Sequence, residues 1–209
     1  MKLIFVRHGQ SEANLLHEFS NRGWRHPLTE KGRLQVEILA SRLAAYQVTR
    51  IFTSPLMRAV QSAMILAEKF GAPVEQSEAL REYDVGIWEG SSDPDGWEEY
   101  RAVNEAWMLR GEYERRMQGG ESFDEVYDRF SVWLGKLVSE YQNTSEALLL
   151  VGHGGLYRIM LPEVLVNVSA QFSLDHPLYY TGYVLAEPGA GGLTCLAWMP
   201  DGEDSIAAV

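Results

Sequence analysis

Residues 3–6, LIFV, are apolar without interruption, and KLIFV (2–6) reads as a short strand buried on both faces. TEKGRLQVEILASRLAAY (29–46) has helical spacing, with Thr29 as N-cap and Leu34, Ile38, Leu39, Leu43 and Tyr46 on one face. RIFTS (50–54) reads as a second strand. Pro55 then opens a helix to about Phe70, punctuated by Gly71. A short strand near 73–75 precedes LREYDVGIWEG, which reads as a loop. The stretch 93–120 is polar, helical and rich in aromatics, and is expected to be an inserted lid. Ser122 and Glu125 have capping-box spacing and start another helix. ALLLVGHGG is a buried strand running into a glycine-flanked histidine, and GYVLAEP and LTCLAWM follow as two late strands. Strands alternating with helices predict an α/β fold, a three-layer α/β/α sandwich with a mostly parallel central sheet. The small helical insertion at 91–120 would lie over the site, and 1–209 would form a single domain.

Composition narrows the function classes. A chain of 209 residues can bury a full core without disulfide staples. The formal net charge of -11 argues against broad nucleic-acid binding, yet a local arginine cluster can still bind phosphate. The single cysteine, Cys195, permits no internal disulfide, fits a reducing compartment and reads as a small core residue. The apolar start is too short for a signal peptide, and no run approaches the roughly 18 residues of a membrane span. The expectation is a cytoplasmic protein, with no membrane partner and no nucleic-acid partner.

The candidate chemistry lies where strands end. LIFV delivers Arg7-His8-Gly9, and LLLV delivers Gly152-His153-Gly154. In open α/β sheets, ligands bind at the carboxyl ends of the strands. RIFTS ends at Ser54-Pro55, with Arg58 in the first turn of the following helix. Arginine gives planar, bidentate donors that match phosphate, and a histidine nitrogen is a competent nucleophile toward phosphorus. A leaving oxygen would need an acid, and LREYDVGIWEG offers Glu82, Asp84 and Glu89. Gly9 would let the backbone approach the phosphate closely. Taken alone, either histidine is an ordinary polar loop residue; the joint arrangement gives them meaning. His17, His26 and His176 read as loop or surface histidines. With no histidine or cysteine at ligand spacing beside His8 or His153, no metal site is expected.

RHGQSEAN, PLTEKG, TSPLMRAVQSA, LREYDVGIWEG, GGESFDEVYDR and VGHGG, in this order, resemble the histidine phosphatase superfamily, which includes the phosphoglycerate mutases. The resemblance spans most of the chain. It implies His8 as nucleophile, forming a phosphohistidine, with Arg7 and Arg58 clamping the phosphoryl oxygens. His153 would stabilise the transferring group, and the Gly154 N–H and Asn14 would bind the phosphate. Glu82 matches the family's proton donor. No cofactor and no metal are implied, one late strand is expected to run antiparallel, and a monomer or homodimer would act on a small phosphorylated substrate.

The resemblance also bears on the reaction. Mutases of the family carry a longer insertion after the acid loop, so this chain looks more like the phosphatase branch. The expectation is a metal-independent phosphomonoester hydrolase. The alternatives are a phosphoglycerate mutase of the cofactor-dependent type and a non-catalytic phospholigand-binding module. Family members usually carry an aspartate shortly before PLT, whereas this chain has Arg25 and His26. That replacement points Arg22 and Arg25 toward a second anionic group on the substrate. Arg115 and Arg116 read as a solvated pair. The aromatics at 97–113 fit both a lid and a helix packed on the core.

Overall fold

The computed structural model describes residues 1–189 and 191–199; residue 190 and residues 200–209, which the single-domain expectation includes, lie outside it. The strands are β1 (Lys2–Arg7), β2 (Val48–Thr53), β3 (Val74–Gln76), β4 (Ala147–Gly152), β5 (Tyr183–Gly189) and β6 (Gly192–Met199). The helices are α1 (Glu12–Leu16), α2 (Glu30–Arg42), α3 (Met57–Phe70), α4 (Pro94–Glu105), α5 (Phe123–Tyr141), α6 (Gly154–Val164) and α7 (Ala170–Asp175). The six strands form one sheet in the order β3-β2-β4-β1-β5-β6. β1, β2, β3 and β4 run parallel. β5 pairs antiparallel with both β1 and β6, so among the described residues it alone opposes the other strands, as expected for one late strand.

Side chains alternate across a strand, and β1 and β4 use the alternation to feed two cores. Leu3, Phe5, Leu148 and Leu150 join one apolar cluster with residues of α5 and α6. Ile4, Val6, Leu149 and Val151 join the other, with residues of α2 and α3. Every residue from Leu148 to Val151 is 0% exposed, as an uninterrupted apolar run between two helical layers should be.

The edges of the elements correct the sequence reading in places. In α2, Leu39 is buried as expected, as is Leu43 just beyond the helix, but Leu34 and Ile38 are 56% and 38% exposed, and Gly32, Val36 and Ala40 complete the buried face. The cause is backbone contact. A Cβ on Gly32 would strike the Gln10 carbonyl, so the glycine must face inward and it sets the rotation of the helix. A glycine adds nothing to a hydrophobic count, so the periodicity turns the face toward Leu34 and Ile38. Pro55 does not open α3; Leu56 is its N-cap, while Gly71 ends it at φ 64° as expected. Cys195 is half-buried and packs against the first core cluster.

The 93–120 stretch is helical only from Pro94 to Arg110. Asp93 caps α4 by accepting from Asp95 N at 2.9 Å, and a π-helical turn follows over Ala106–Arg110. Gly111, at φ 67°, ends it, and the chain then runs in turns to Gly120. Val103, Ala106, Trp107 and Met117 are buried against the core. The Ser122–Glu125 capping box forms, with the Glu125 carboxylate accepting from Ser122 N at 2.9 Å and Ser122 Oγ from Glu125 N at 3.3 Å. Such a cap is worth roughly 1 kcal/mol. Among the described residues, no helix is long and apolar enough to cross a membrane.

Candidate active site

Strand register assembles the site. Arg7 of β1 stands opposite Gly152 of β4, so His8 and His153 emerge side by side from adjacent strands. Their rings lie 5.1 Å apart and are 3% and 1% exposed as residues. Thr53 of β2 stands opposite Val151, which brings Ser54 to the same edge. A cavity of 230 Å³ opens there. Arg7, His8, Asn14, Arg58, Glu82 and Gly154 all line it; His153 does not, and meets the lining residue Arg58 through Nδ1, 3.3 Å from Nη2.

His8 is held in one tautomer. Its Nδ1 lies 2.6 Å from its neighbour Gly9's carbonyl oxygen, which can only accept, so Nδ1 carries the proton. Arg58 Nε donates to Nε2 at 3.0 Å, which requires a free lone pair there. Burial first, then the charges of Arg58 and Arg7, push the His8 pKa well below 6.5, so the ring is neutral at pH 7. His153 has the opposite tautomer: its Nδ1 faces Arg58 Nη2 at 3.3 Å, and its Nε2 donates to Ser54 Oγ at 2.7 Å. Burial, then Arg58, keeps His153 neutral too.

Arg58 is 5% exposed, and burial lowers its pKa to about 10, which leaves it charged. Its third contact is Nη1 to the Ser20 carbonyl at 2.6 Å. Arg7 Nη1 donates to the Leu178 carbonyl at 2.7 Å, and its guanidinium stacks 4.6 Å over Tyr180. Asn14 accepts from Ser11 N and Oγ at 3.0 and 2.9 Å through Oδ1, so its NH₂ is the end left for a ligand.

Only one of the candidate acids lines the cavity. Glu82 is 8% exposed and accepts from Gly155 N, at the start of α6, at 2.9 Å. Burial raises its pKa, against the opposing charge of Arg58 and three backbone N–H bonds. Asp84 and Glu89 are turned to other work. Asp84 takes a two-pronged bond from Arg22 at 2.7 and 2.8 Å, and Glu89 accepts from Asn21 N at 2.9 Å and Arg25 at 3.3 Å. Among the described residues, no group of three or more His, Cys, Asp or Glu side chains could hold a metal ion.

A model of the histidine phosphatase superfamily, branch 1, matches residues 3–200. The chain belongs to that superfamily. Phosphoserine phosphatase 1 of Hydrogenobacter thermophilus is 30% identical over 183 residues, which is 86% of this chain and 84% of that one. A 2,3-bisphosphoglycerate-dependent phosphoglycerate mutase of Cytophaga hutchinsonii is 32% identical over 163 residues, 76% and 75% of the two chains. Among solved structures, a mycobacterial glucosyl-3-phosphoglycerate phosphatase in complex with VO3 superposes with a TM-score of 0.80 at 26% identity, covering 96% of this chain and 99% of that one.

For this histidine phosphatase superfamily member, two sequence expectations need correction. Arg22 and Arg25 do not line the cavity. They pair with Asp84, Glu18 and Glu89, because the acid loop and the 18–26 loop lie against each other. Arg25 and His26 approach Glu18 at 3.7 and 3.5 Å, and His26 Nδ1 meets Ser20 Oγ at 2.9 Å. They brace the loop whose Ser20 carbonyl holds Arg58. Gly9 does not line the cavity either; a Cβ there would strike the Gly32 carbonyl, so its close approach is to α2 and not to a ligand.

The site also holds residues that motif reading passed over. Trp97 and Tyr100 of α4 wall the cavity, with Phe19 stacked on Trp97 at 3.9 Å and Tyr83 on Tyr100 at 5.4 Å. Burial lifts the Tyr100 pKa to about 12. Arg158 of α6 lines it as well; its only sequence signal is its position one helical turn after Gly154.

Proposed function

We propose that the chain is a metal-independent phosphomonoester hydrolase that works through a phosphohistidine on His8. The observation that carries this reading is the His8 ring: neutral, fixed with Nδ1 protonated, its Nε2 lone pair directed at Arg58. A nitrogen nucleophile needs that state and that orientation. The named phosphatases among its relatives, acting on phosphoserine and on glucosyl-3-phosphoglycerate, support the same reaction.

In the first half-reaction, Nε2 forms a bond to phosphorus as the P–O bond to the leaving group breaks. Arg7 and Arg58 neutralise the phosphoryl oxygens, with Asn14, the Gly154 N–H and His153 completing the cradle. Glu82, whose pKa burial raises, gives a proton to the leaving oxygen. In the second, the Glu82 carboxylate takes a proton from water, whose oxygen bonds to phosphorus as the N–P bond breaks. Inorganic phosphate leaves, and Glu82 and His8 return to their starting states. The 91–120 segment acts as a cover, contributing Trp97 and Tyr100 to the cavity wall. The cysteine content and charge support a cytoplasmic protein acting on small phosphate esters rather than nucleic acid.

Rapid quenching with a ³²P-labelled ester tests this directly. The wild type is expected to yield a phosphoprotein labile to acid and stable to alkali, absent from His8→Ala. A labelled His8→Ala enzyme with undiminished turnover would sink the mechanism. The mutase relative supports a second reading, phosphoryl exchange between hydroxyls. Assay of 3-phosphoglycerate isomerisation beside phosphate release separates the two, and release is expected to dominate.

A further inference from the structure

Arg7 ends β1 and lines the cavity. Elsewhere in the fold, carboxylates fix guanidinium planes: Arg22 and Arg129 each form a two-pronged bond, to Asp84 and to Glu121. Arg7 has no such partner among the described residues. Its side chain makes one hydrogen bond, from Nη1 to the Leu178 carbonyl at 2.7 Å, and its Nε is buried without one. Two packing contacts hold the plane instead. The Tyr180 ring lies 4.6 Å from Cζ. A Cβ on Gly154 would stand 3.1 Å from Cζ, Nε and Nη1 alike, and equal distances to these three atoms place it over a face of the guanidinium.

Tyr180 is itself held by the turn 178–182, which is tied to the strand end that carries His8. Thr181 N–H donates to the Arg7 and His8 carbonyls at 3.1 and 3.4 Å, Arg7 N–H donates to the Gly182 carbonyl at 3.0 Å, and Gly182 N–H to the Tyr179 carbonyl at 2.9 Å. Thr181 is buried and has φ 60°, a left-handed conformation that a β-branched residue adopts only under strain. Its Oγ1 donates to the Tyr180 carbonyl at 2.6 Å. This conformation delivers the Leu178 carbonyl and the Tyr180 ring to one guanidinium while its amide holds the backbone beside His8.

We propose that Tyr180 is a positioning residue of the phosphoryl site: its ring, presented by the strained turn at Thr181, fixes the plane of the Arg7 guanidinium and so the direction of the N–H donors left for a phosphoryl group. An aromatic face suits this task because it holds a cation without consuming any of its donors, whereas a carboxylate would occupy two. A guanidinium already held in plane loses less side-chain freedom when the anion binds. Tyr180 does not line the cavity, so it acts through Arg7 and not on the ester. The role rests on the reading of Arg7 as a phosphoryl clamp given above.

The test is a double-mutant cycle read as affinity for inorganic phosphate by calorimetry, which needs no turnover; orthovanadate replaces phosphate where binding is too weak to titrate. Tyr180→Leu removes the aromatic face and is expected to weaken binding about 10-fold. Tyr180→Phe keeps the face and is expected to retain the wild-type affinity. Arg7→Lys keeps a charge but has no plane to fix, so adding Tyr180→Leu to it should weaken binding by less than about 2-fold. Wild-type affinity in Tyr180→Leu overturns the proposal. So does a loss as large in Tyr180→Phe, which would assign the effect to the hydroxyl, or the full 10-fold loss repeated in the Arg7→Lys background, which would make Tyr180 a packing residue that does not act through the guanidinium. Tyr180→Met serves if the leucine variant does not fold, judged by circular dichroism. A wild type that binds phosphate but releases none from any ester sinks the hydrolase reading alone, and the cycle still decides Tyr180. A wild type that binds neither anion removes the phosphoryl clamp and this role with it.

Discussion

Arg58 Nε donates to His8 Nε2 across 3.0 Å, in a pocket where both residues are almost wholly buried. The guanidinium that would clamp a phosphoryl group therefore engages the lone pair that would attack it. Binding of an ester must exchange this contact for two others, N–H to phosphoryl oxygen and Nε2 to phosphorus. The contact keeps the imidazole unprotonated until then, because a second proton on Nε2 would face the Arg58 charge.

Removing that charge should therefore release His8 toward its ordinary titration. In Arg58→Ala, the His8 pKa is expected to rise, since Arg58 is the largest contributor to its depression after burial. Histidine-labelled NMR titration reads the shift. The same variant should lose about 10²–10³ in kcat/KM through the lost charge stabilisation. An unmoved His8 titration would show that burial alone holds the ring neutral.

Glu82 should matter in proportion to how badly the leaving group needs a proton. Glu82→Gln keeps the acceptor of the Gly155 N–H and removes the transferable proton. It is expected to lower kcat by about 10²–10⁴ for alkyl phosphates and by much less for p-nitrophenyl phosphate. In the wild type, kcat/KM for alkyl phosphates should fall as pH rises through the raised Glu82 pKa, and the variant should lack that limb. Equal losses on both esters would remove Glu82 from the acid role.

Much of this was legible from the chain, for physical reasons that differ by residue. LIFV and ALLLVG are so uniformly apolar that only a doubly covered strand suits them, and the strand ends then place His8 and His153. Glu82 could be named only through resemblance; its rivals Asp84 and Glu89 are equally acidic, and burial and the Gly155 N–H distinguish them only in three dimensions. The buried face of α2 includes Leu39 as its periodicity predicts but not Leu34 and Ile38, because a glycine contact, invisible to that periodicity, orients the helix. Arg22 and Arg25 carry the same charge as Arg158, and no local pattern says which of them meets carboxylates across loops far apart in sequence. Helix α6 begins in two glycines, which hid it from propensity.

Gly155 should tolerate no side chain. A Cβ there would lie 2.6 Å from the Tyr100 hydroxyl and 2.8 Å from both Glu82 carboxylate oxygens. Gly155→Ala is expected to cost about 1–3 kcal/mol by overpacking and to displace the acid. Urea unfolding gives the first quantity. The second appears as a greater loss on alkyl phosphates than on p-nitrophenyl phosphate. A variant as stable and as active as the wild type would mean that α4 and the acid loop yield freely.

Stability should fall as the solution is acidified below pH 6.5, with a sign set by the two buried histidines. Both His8 and His153 have pKa values depressed well below 6.5, chiefly by burial. Below pH 6.5 the unfolded chain gains protons at these positions that the native state does not bind, so the unfolding free energy decreases as pH falls. At pH 5.5 each histidine contributes a loss of about 1 kcal/mol relative to pH 7.5. Glu82 acts oppositely: its raised pKa means that the native state binds a proton the unfolded chain lacks above pH 4.5, which adds stability as pH falls through that window. His8→Asn should therefore lose less stability than the wild type between pH 7.5 and 5.5, and Glu82→Gln should lose more. Urea titrations at the two pH values measure both differences. Identical pH dependence in His8→Asn and wild type would show that His8 titrates alike in the folded and unfolded chains.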